Sequence, residues 1–191
     1  FKTLNGTMKR IYILLLFCHL ILAECPPDWT RRGDTVYCYK SFEDSQVSWN
    51  AGQSTCNSHG ADLVWFENKS EMEWVYNNLL GWNTGSTSWR YYWIGLNDLI
   101  QVSRLEWANT HDDERSTKFQ NFGSDNEMDP SRRCTQALFS NNLPQDYGHE
   151  GKWYKEKCDK TKGSNFVCKM NESWFIKECS GGYSAIDWGY G

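Results

Sequence analysis

Tyr91-Tyr92-Trp93-Ile94-Gly95-Leu96 is the stretch on which the reading of the fold turns. It is a short run rich in aromatic and β-branched residues, a composition that fits a pleated, buried surface, so a strand is expected there. Trp93, Ile94 and Leu96 fill a core, while Gly95 permits another backbone to approach closely. Leu105 to Trp107, Thr135 to Phe139, Lys152 to Tyr154 and Asn165 to Lys169 share this texture, and polar stretches separate them. They read as further strands.

On the N-terminal side the period changes. Trp49, Gly52 and Cys56 stand at i, i+3 and i+7, the stripe of a helix over about Ser45 to His59 that stops near Gly60. A second helix carries Glu71, Trp74, Val75, Leu79 and Leu80, with Asn68 or Ser70 as candidate cap and Gly81 as candidate stop. On the other side, Asn97 to Cys134 holds only the short Leu105 to Trp107 strand. An ordinary connection is about 4 to 6 residues, so a span of this length marks a loop region kept for function.

The bulk numbers suit one such domain. The 191 residues are 39% hydrophobic and include 11 Trp, enough for a single core. A mean hydropathy of -0.71 alongside 16% aromatic content places that apolar area in a few large rings among polar loops. The formal charge of -4 and a pI near 5.6 argue against nucleic acid or an anionic membrane surface as partner, since either needs a concentrated Lys/Arg face.

Residues 1–7 precede the first methionine and read as translated upstream sequence or a fragment boundary. Met8-Lys9-Arg10, the apolar run Ile11 to Ala23 and the small residue Ala23 have the form of a secretory signal peptide over 8–23. That run is shorter than the roughly 20 residues that span a bilayer, and no other comes near, so a secreted chain without a membrane span is expected. The mature domain then covers 24–170, followed by a tail, or the start of a truncated segment, over 171–191.

Cys18 falls in the leader, which leaves Cys25, Cys38, Cys56, Cys134, Cys158, Cys168 and Cys179 for an oxidising compartment. There is no Cys-x-x-Cys pair and no histidine at ligand spacing from a cysteine, so disulfides are favoured over zinc. The number is odd, so one cysteine lacks an intrachain partner. Spacing alone permits about 105 pairings.

The segments Cys25-Pro26-Pro27-Asp28-Trp29, Tyr37-Cys38-Tyr39, Gly60-Ala61-Asp62-Leu63-Val64, Trp93-Ile94-Gly95-Leu96 and Phe166-Val167-Cys168-Lys169 occur in this order. In that order and with six cysteines in register, the sequence resembles the C-type lectin-like domains over about Cys25 to Met170. The resemblance implies an α+β fold in which two helices flank a two-part antiparallel sheet topped by a long loop region. It also implies the pairs Cys25–Cys38, Cys56–Cys168 and Cys134–Cys158, with Cys179 left over.

Sugar-binding members of that family hold calcium with a Glu-Pro-Asn or Gln-Pro-Asp loop, an acidic residue before a cysteine, and Trp-Asn-Asp. Here Trp153-Tyr154-Lys155 stands at the last position, replacing one ligand by Tyr154 and another by a cation. The loop motif falls on Asp125-Asn126-Glu127 or, in a shifted register, on Glu127-Met128-Asp129, both without the central proline. Arg132 and Arg133 precede Cys134 where acids are common in the family, and their charge opposes a metal.

Asp125, Glu127 and Asp129 therefore read as a degenerate remnant, with Asp125 and Glu127 as weak calcium ligands, or as a solvated loop paired with Arg132 and Arg133. It is not an EF-hand, because Pro130 and Gln136 occupy the required Gly and Glu positions. No cofactor other than this weak calcium is indicated.

Catalysis finds no support. His149-Glu150 begins like a zinc-protease helix, yet Trp153 stands where the second histidine belongs. The expected function is recognition of a glycan or a cell-surface glycoprotein, with Asp125, Glu127, Asp129, Trp153, Tyr154 and Lys155 as the binding residues and Trp153 and Tyr154 as rings for sugar. The alternative is a calcium-independent protein ligand, with Tyr154, Lys155, Arg132 and Arg133 at the contact and Cys179 joining two copies into a homodimer. Asn68 and Asn171 open N-glycosylation sequons.

Overall fold

The computed structural model describes residues 25–33, 35–43, 45–80, 90–108, 119–123, 129–139, 151–162 and 164–171. Backbone contacts divide the chain into two compact units, Phe1–Cys38 with Asn171–Gly191, and Tyr39–Met170. In the first, β1 (Thr30–Arg31) and the start of β2 (Tyr37–Phe42) form a hairpin in which Arg32 N–H donates to the Tyr37 carbonyl at 3.4 Å. The Cys25–Cys38 disulfide staples it.

The second unit holds both helices. α1 (Trp49–Ser58) starts about four residues later than its periodicity suggests, because the Ser48 side chain accepts the Ala51 N–H and caps the helix there. α2 (Lys69–Leu79) is capped by Asn68, whose Oδ1 accepts the Glu71 N–H at 2.9 Å. α1 buries Trp49, Gly52 and Cys56, the three residues of the predicted stripe.

The strands are β3 (Asp62–Leu63), β4 (Arg90–Asn97), β5 (Glu106–Trp107), β6 (Cys134–Phe139), β7 (Trp153–Glu156) and β8 (Ser164–Asn171). They join one sheet in the order β2-β8-β4-β6-β7, with β3 on β8 and β5 on β4. The sheet is mixed, since β4 and β8 run parallel through Tyr91↔Ser164, Tyr92↔Asn165 and Trp93↔Phe166. β2 and β3 carry no strong sequence signal and follow from pairing.

The core lies where Trp93 was expected, fully buried with Ile94, Leu96, Phe66, Phe166 and Trp153. Burying an indole N–H requires an acceptor. Trp93 Nε1 donates to the Val47 carbonyl at 2.8 Å and Trp49 Nε1 to the Ile94 carbonyl at 2.9 Å. At Gly95 a Cβ would lie 2.8 Å from the Leu63 carbonyl oxygen, so only glycine admits this close crossing of β4 and the β3 chain.

The Cys56–Cys168 and Cys134–Cys158 disulfides complete the set of three, with Cα separations of 5.4 and 5.1 Å. Cys56–Cys168 closes a loop of 112 residues, worth about 5 kcal/mol in the chain-entropy picture. Cys179 lies outside the described residues. No helix among the described residues is long and apolar enough to cross a membrane.

Candidate functional site

The loop-bearing end of the sheet is organised at the end of β4. The β4–β6 register shifts between Ile94 and Asn97, a bulge that re-aims the side chains beyond it. Asn97 Oδ1 accepts the Leu99 N–H at 3.0 Å, and its amide donates to the Gly95 and Glu106 carbonyls. Asp98 Oδ2 accepts the Ser103 N–H at 2.9 Å. The turn from Asp98 to Ser103 is therefore wound on two buried polar side chains, with Ser103 at a φ of 66°.

A carboxylate as buried as Asp98, whose side chain is 7% exposed, requires a counter-charge. Lys155 and Arg133 supply it. β7 pairs with β6 so that Lys155 lies opposite Thr135, and its Nζ reaches 3.0 Å from Asp98 Oδ1. Arg133 Nε lies 3.6 Å from the same oxygen, and a second guanidinium nitrogen donates to the Asp98 backbone carbonyl. Asp98 N–H in turn donates to the Arg133 carbonyl at 3.1 Å. The Cys134–Cys158 disulfide fastens the strand that follows Arg133.

Trp153 does not serve as an exposed ring. It is fully buried, stacked on Phe66 at 5.9 Å and met edge-on by Trp107, Phe119 and Phe122. Its alternation partner Tyr154 points to the other face and is half-buried. A Cβ on Gly123 would lie 2.8 Å from the Tyr154 hydroxyl, so Tyr154 packs beneath the 119–123 segment. The sugar-stacking role expected of Trp153 is thus corrected, because the core needs its whole area.

Asp129 sits in a turn, where its Oδ1 accepts the Ser131 N–H at 2.8 Å and Oδ2 lies 3.5 Å from Arg132 Nε. The hydrogen bond from Ser131 holds its carboxyl below the usual carboxylate range. Arg132 thus takes the expected loop acid, whereas Arg133 turns to Asp98. Asp125 and Glu127 lie outside the described residues.

The surroundings of Asp98 fit calcium poorly. A hard divalent cation takes 6 to 8 oxygen ligands, whereas Lys155 and Arg133 bring ammonium and guanidinium nitrogens to the buried Asp98 carboxylate. Among the described residues no three His, Cys, Asp or Glu side chains come together as a metal set. Asp98 is the member that reasoning from the sequence missed. The available signal was an acid directly after a core strand and, in Lys155, a cation with no anion assigned to it, while Arg133 was expected on the Asp125, Glu127 and Asp129 loop.

Beside the Asp98 cluster, an open groove of about 460 Å³ runs between the start of α1 and the turn after β7. Asn50, Leu99, Ser131, Arg133, Lys157 and Asp159 are on its walls. Trp49 N–H donates to the Cys158 carbonyl at 2.9 Å and ties the two sides together.

Comparison with known proteins places this architecture. The family model described as Lectin C-type domain matches residues 45–170. The chain belongs to the C-type lectin domain family. It is 26% identical over 153 residues to C-type mannose receptor 2 of Homo sapiens, a match that covers 80% of this chain and 9% of that protein. The chain thus spans about a tenth of that relative's length.

Two solved structures share the fold. A calcium-independent type II antifreeze protein superposes with a TM-score of 0.59 at 15% identity, covering 78% of this chain and 95% of that one. The C-type lectin domain of murine dendritic cell inhibitory receptor 2, in complex with N-glycan, superposes at 0.58 with 24% identity, covering 78% and 99%. The family consists of binding proteins that are generally not enzymes.

Proposed function

We propose that this chain is a secreted, non-catalytic recognition protein that binds a glycan-bearing or cell-surface protein without calcium. One observation carries the reading: Lys155 Nζ stands 3.0 Å from Asp98, with Arg133 on the same carboxylate. Two cations fixed in the protein hold the loop that a bound metal would otherwise have to organise. The ligand is then met by side chains and backbone, and chelators have nothing to remove.

A glycan array and a set of deglycosylated cell-surface proteins, each probed in calcium and in chelator, test the reading. Binding that is equal in both conditions supports it. Binding abolished by chelator contradicts it.

A disulfide-linked homodimer is a second reading. The three disulfides consume six cysteines, and Cys179 is not among them. A non-reducing gel should show a doubled mass that Cys179→Ser removes, and a monomer band before reduction would sink this arrangement.

A further inference from the structure

We infer that the groove between α1 and the Cys134–Cys158 turn, with the adjoining Leu99–Val102 ridge, binds an acidic peptide segment carrying a bulky apolar side chain. The inference rests on the recognition reading above and names the polypeptide part of the ligand.

The ridge presents apolar surface to solvent. Ile100 is 82% exposed, Val102 50% and Leu99 38%, and these three lie within four consecutive positions. A contiguous apolar patch rimmed by polar groups is characteristic of an interaction site, whereas single exposed apolar residues are ordinary. The turn that displays them is fixed from behind, because Asp98 accepts the Ser103 N–H and is itself held by Lys155 and Arg133. A pre-fixed loop loses little freedom on binding.

Leu99 connects the ridge to the groove, since it also lines the groove wall. The volume of about 460 Å³ is that of a site for one large side chain and its neighbours. Among the described residues the wall carries Arg133 and Lys157 against one acid, Asp159, and Arg104 is exposed on the ridge turn. A positive rim on a chain of net charge -4 is complementary to an acidic partner and selects against a basic one. No aromatic ring lines the groove among the described residues, so it lacks the flat platform on which sugar rings stack. The chemistry therefore favours polypeptide over glycan at this place.

The test is selection from a random peptide library displayed on phage, followed by fluorescence polarisation of the enriched peptides on the folded domain. Enriched sequences should combine an apolar residue with Asp or Glu. Ile100→Asp and Lys157→Glu should each weaken binding about tenfold, while Val36→Asp, an exposed apolar site elsewhere, should leave it unchanged. Ile100 contributes nothing to the core, and unchanged melting of its variant confirms that the loss is one of contact.

Enrichment without acidic preference, no enrichment at all, or peptide binding untouched by both variants overturns the inference. Running the assay in calcium and in chelator keeps the two readings apart. Peptide binding that needs calcium yet depends on Ile100 and Lys157 upholds the groove and contradicts calcium independence. Calcium-independent glycan binding untouched by these variants, with no peptide enrichment, overturns the groove and leaves the broader reading standing.

Discussion

Two ion pairs at different depths divide the labour in this domain. In the core, Lys169 meets Glu71 with side chains 0% and 1% exposed, and every group is matched. Tyr39 donates to Glu71 Oε1 at 2.6 Å, Glu67 N–H donates to Oε2 at 2.8 Å, and the Lys169 ammonium lies 4.0 Å from the Trp65 ring centroid. At the loop end, Asp98 meets Lys155 and Arg133, whose side chains are 10% and 27% exposed. The first pair joins β8 to α2 and has no surface. The second has one cation sealed and one on the groove wall. The same chemistry thus serves architecture when closed and, in the proposed reading, ligand presentation when half open.

The largest effect is expected at the closed pair. Lys169→Met strands the Glu71 carboxylate in the core and should cost about 3 to 5 kcal/mol in denaturant unfolding. Adding Glu71→Gln should recover a large part of that loss, because it removes the stranded charge. A Lys169→Met protein as stable as wild type would show that the pair is not the core's counter-charge.

The half-open cluster should be less sensitive. Lys155→Met leaves Asp98 with Arg133 alone and should cost about 1 to 3 kcal/mol. The same change should speed hydrogen exchange at the Ser103 N–H, whose acceptor is Asp98. Exchange at Ser103 equal to wild type would separate the loop from the ion pair.

A smaller effect sharpens the role of α2. Asn68→Ala removes the cap that accepts the Glu71 N–H and should cost about 1 kcal/mol. Asn68→Asp keeps an acceptor while deleting the sequon, so it should retain stability and, if the site is glycosylated, lose the glycan mass on a gel.

The smallest expected effect is at acid pH, in the half-buried Lys160–Glu156 pair at 2.6 Å. Burial pushes the Glu156 carboxyl up, but hydrogen bonds from Lys160 and the Lys157 N–H outweigh it and hold the group below its usual range. A carboxyl depressed in the native state contributes stability above its unfolded value of about 4.3, and that contribution is lost as pH falls below it. Melting curves of Glu156→Gln should therefore approach wild type below about pH 4 and diverge modestly above it.

The sequence made part of this legible for identifiable reasons. The Asn68 cap, the Trp49-Gly52-Cys56 stripe and Gly95 are read locally, because their physics lies within a turn of helix or one close crossing, whereas the Ser48 cap of α1 was not anticipated. The disulfide pairs came with the family resemblance. Trp153 was misplaced because an aromatic residue on a short strand does not declare its face, and only the meeting of Phe66, Trp107, Phe119 and Phe122 around it decides the matter. The parallel β4–β8 pairing and the Asp98 cluster are products of distant chain segments meeting in space. Arg133, 35 residues beyond Asp98, becomes its partner only after β4 and β6 have paired.

In the proposed reading, Lys155 and Arg133 occupy the role of a bound cation at Asp98. Titration calorimetry of the purified domain with calcium, paired with melting curves in calcium and in chelator, tests it most directly. No saturable heat up to millimolar calcium and identical melting in both conditions are expected. Stoichiometric binding with micromolar Kd, together with melting that falls in chelator, would contradict it.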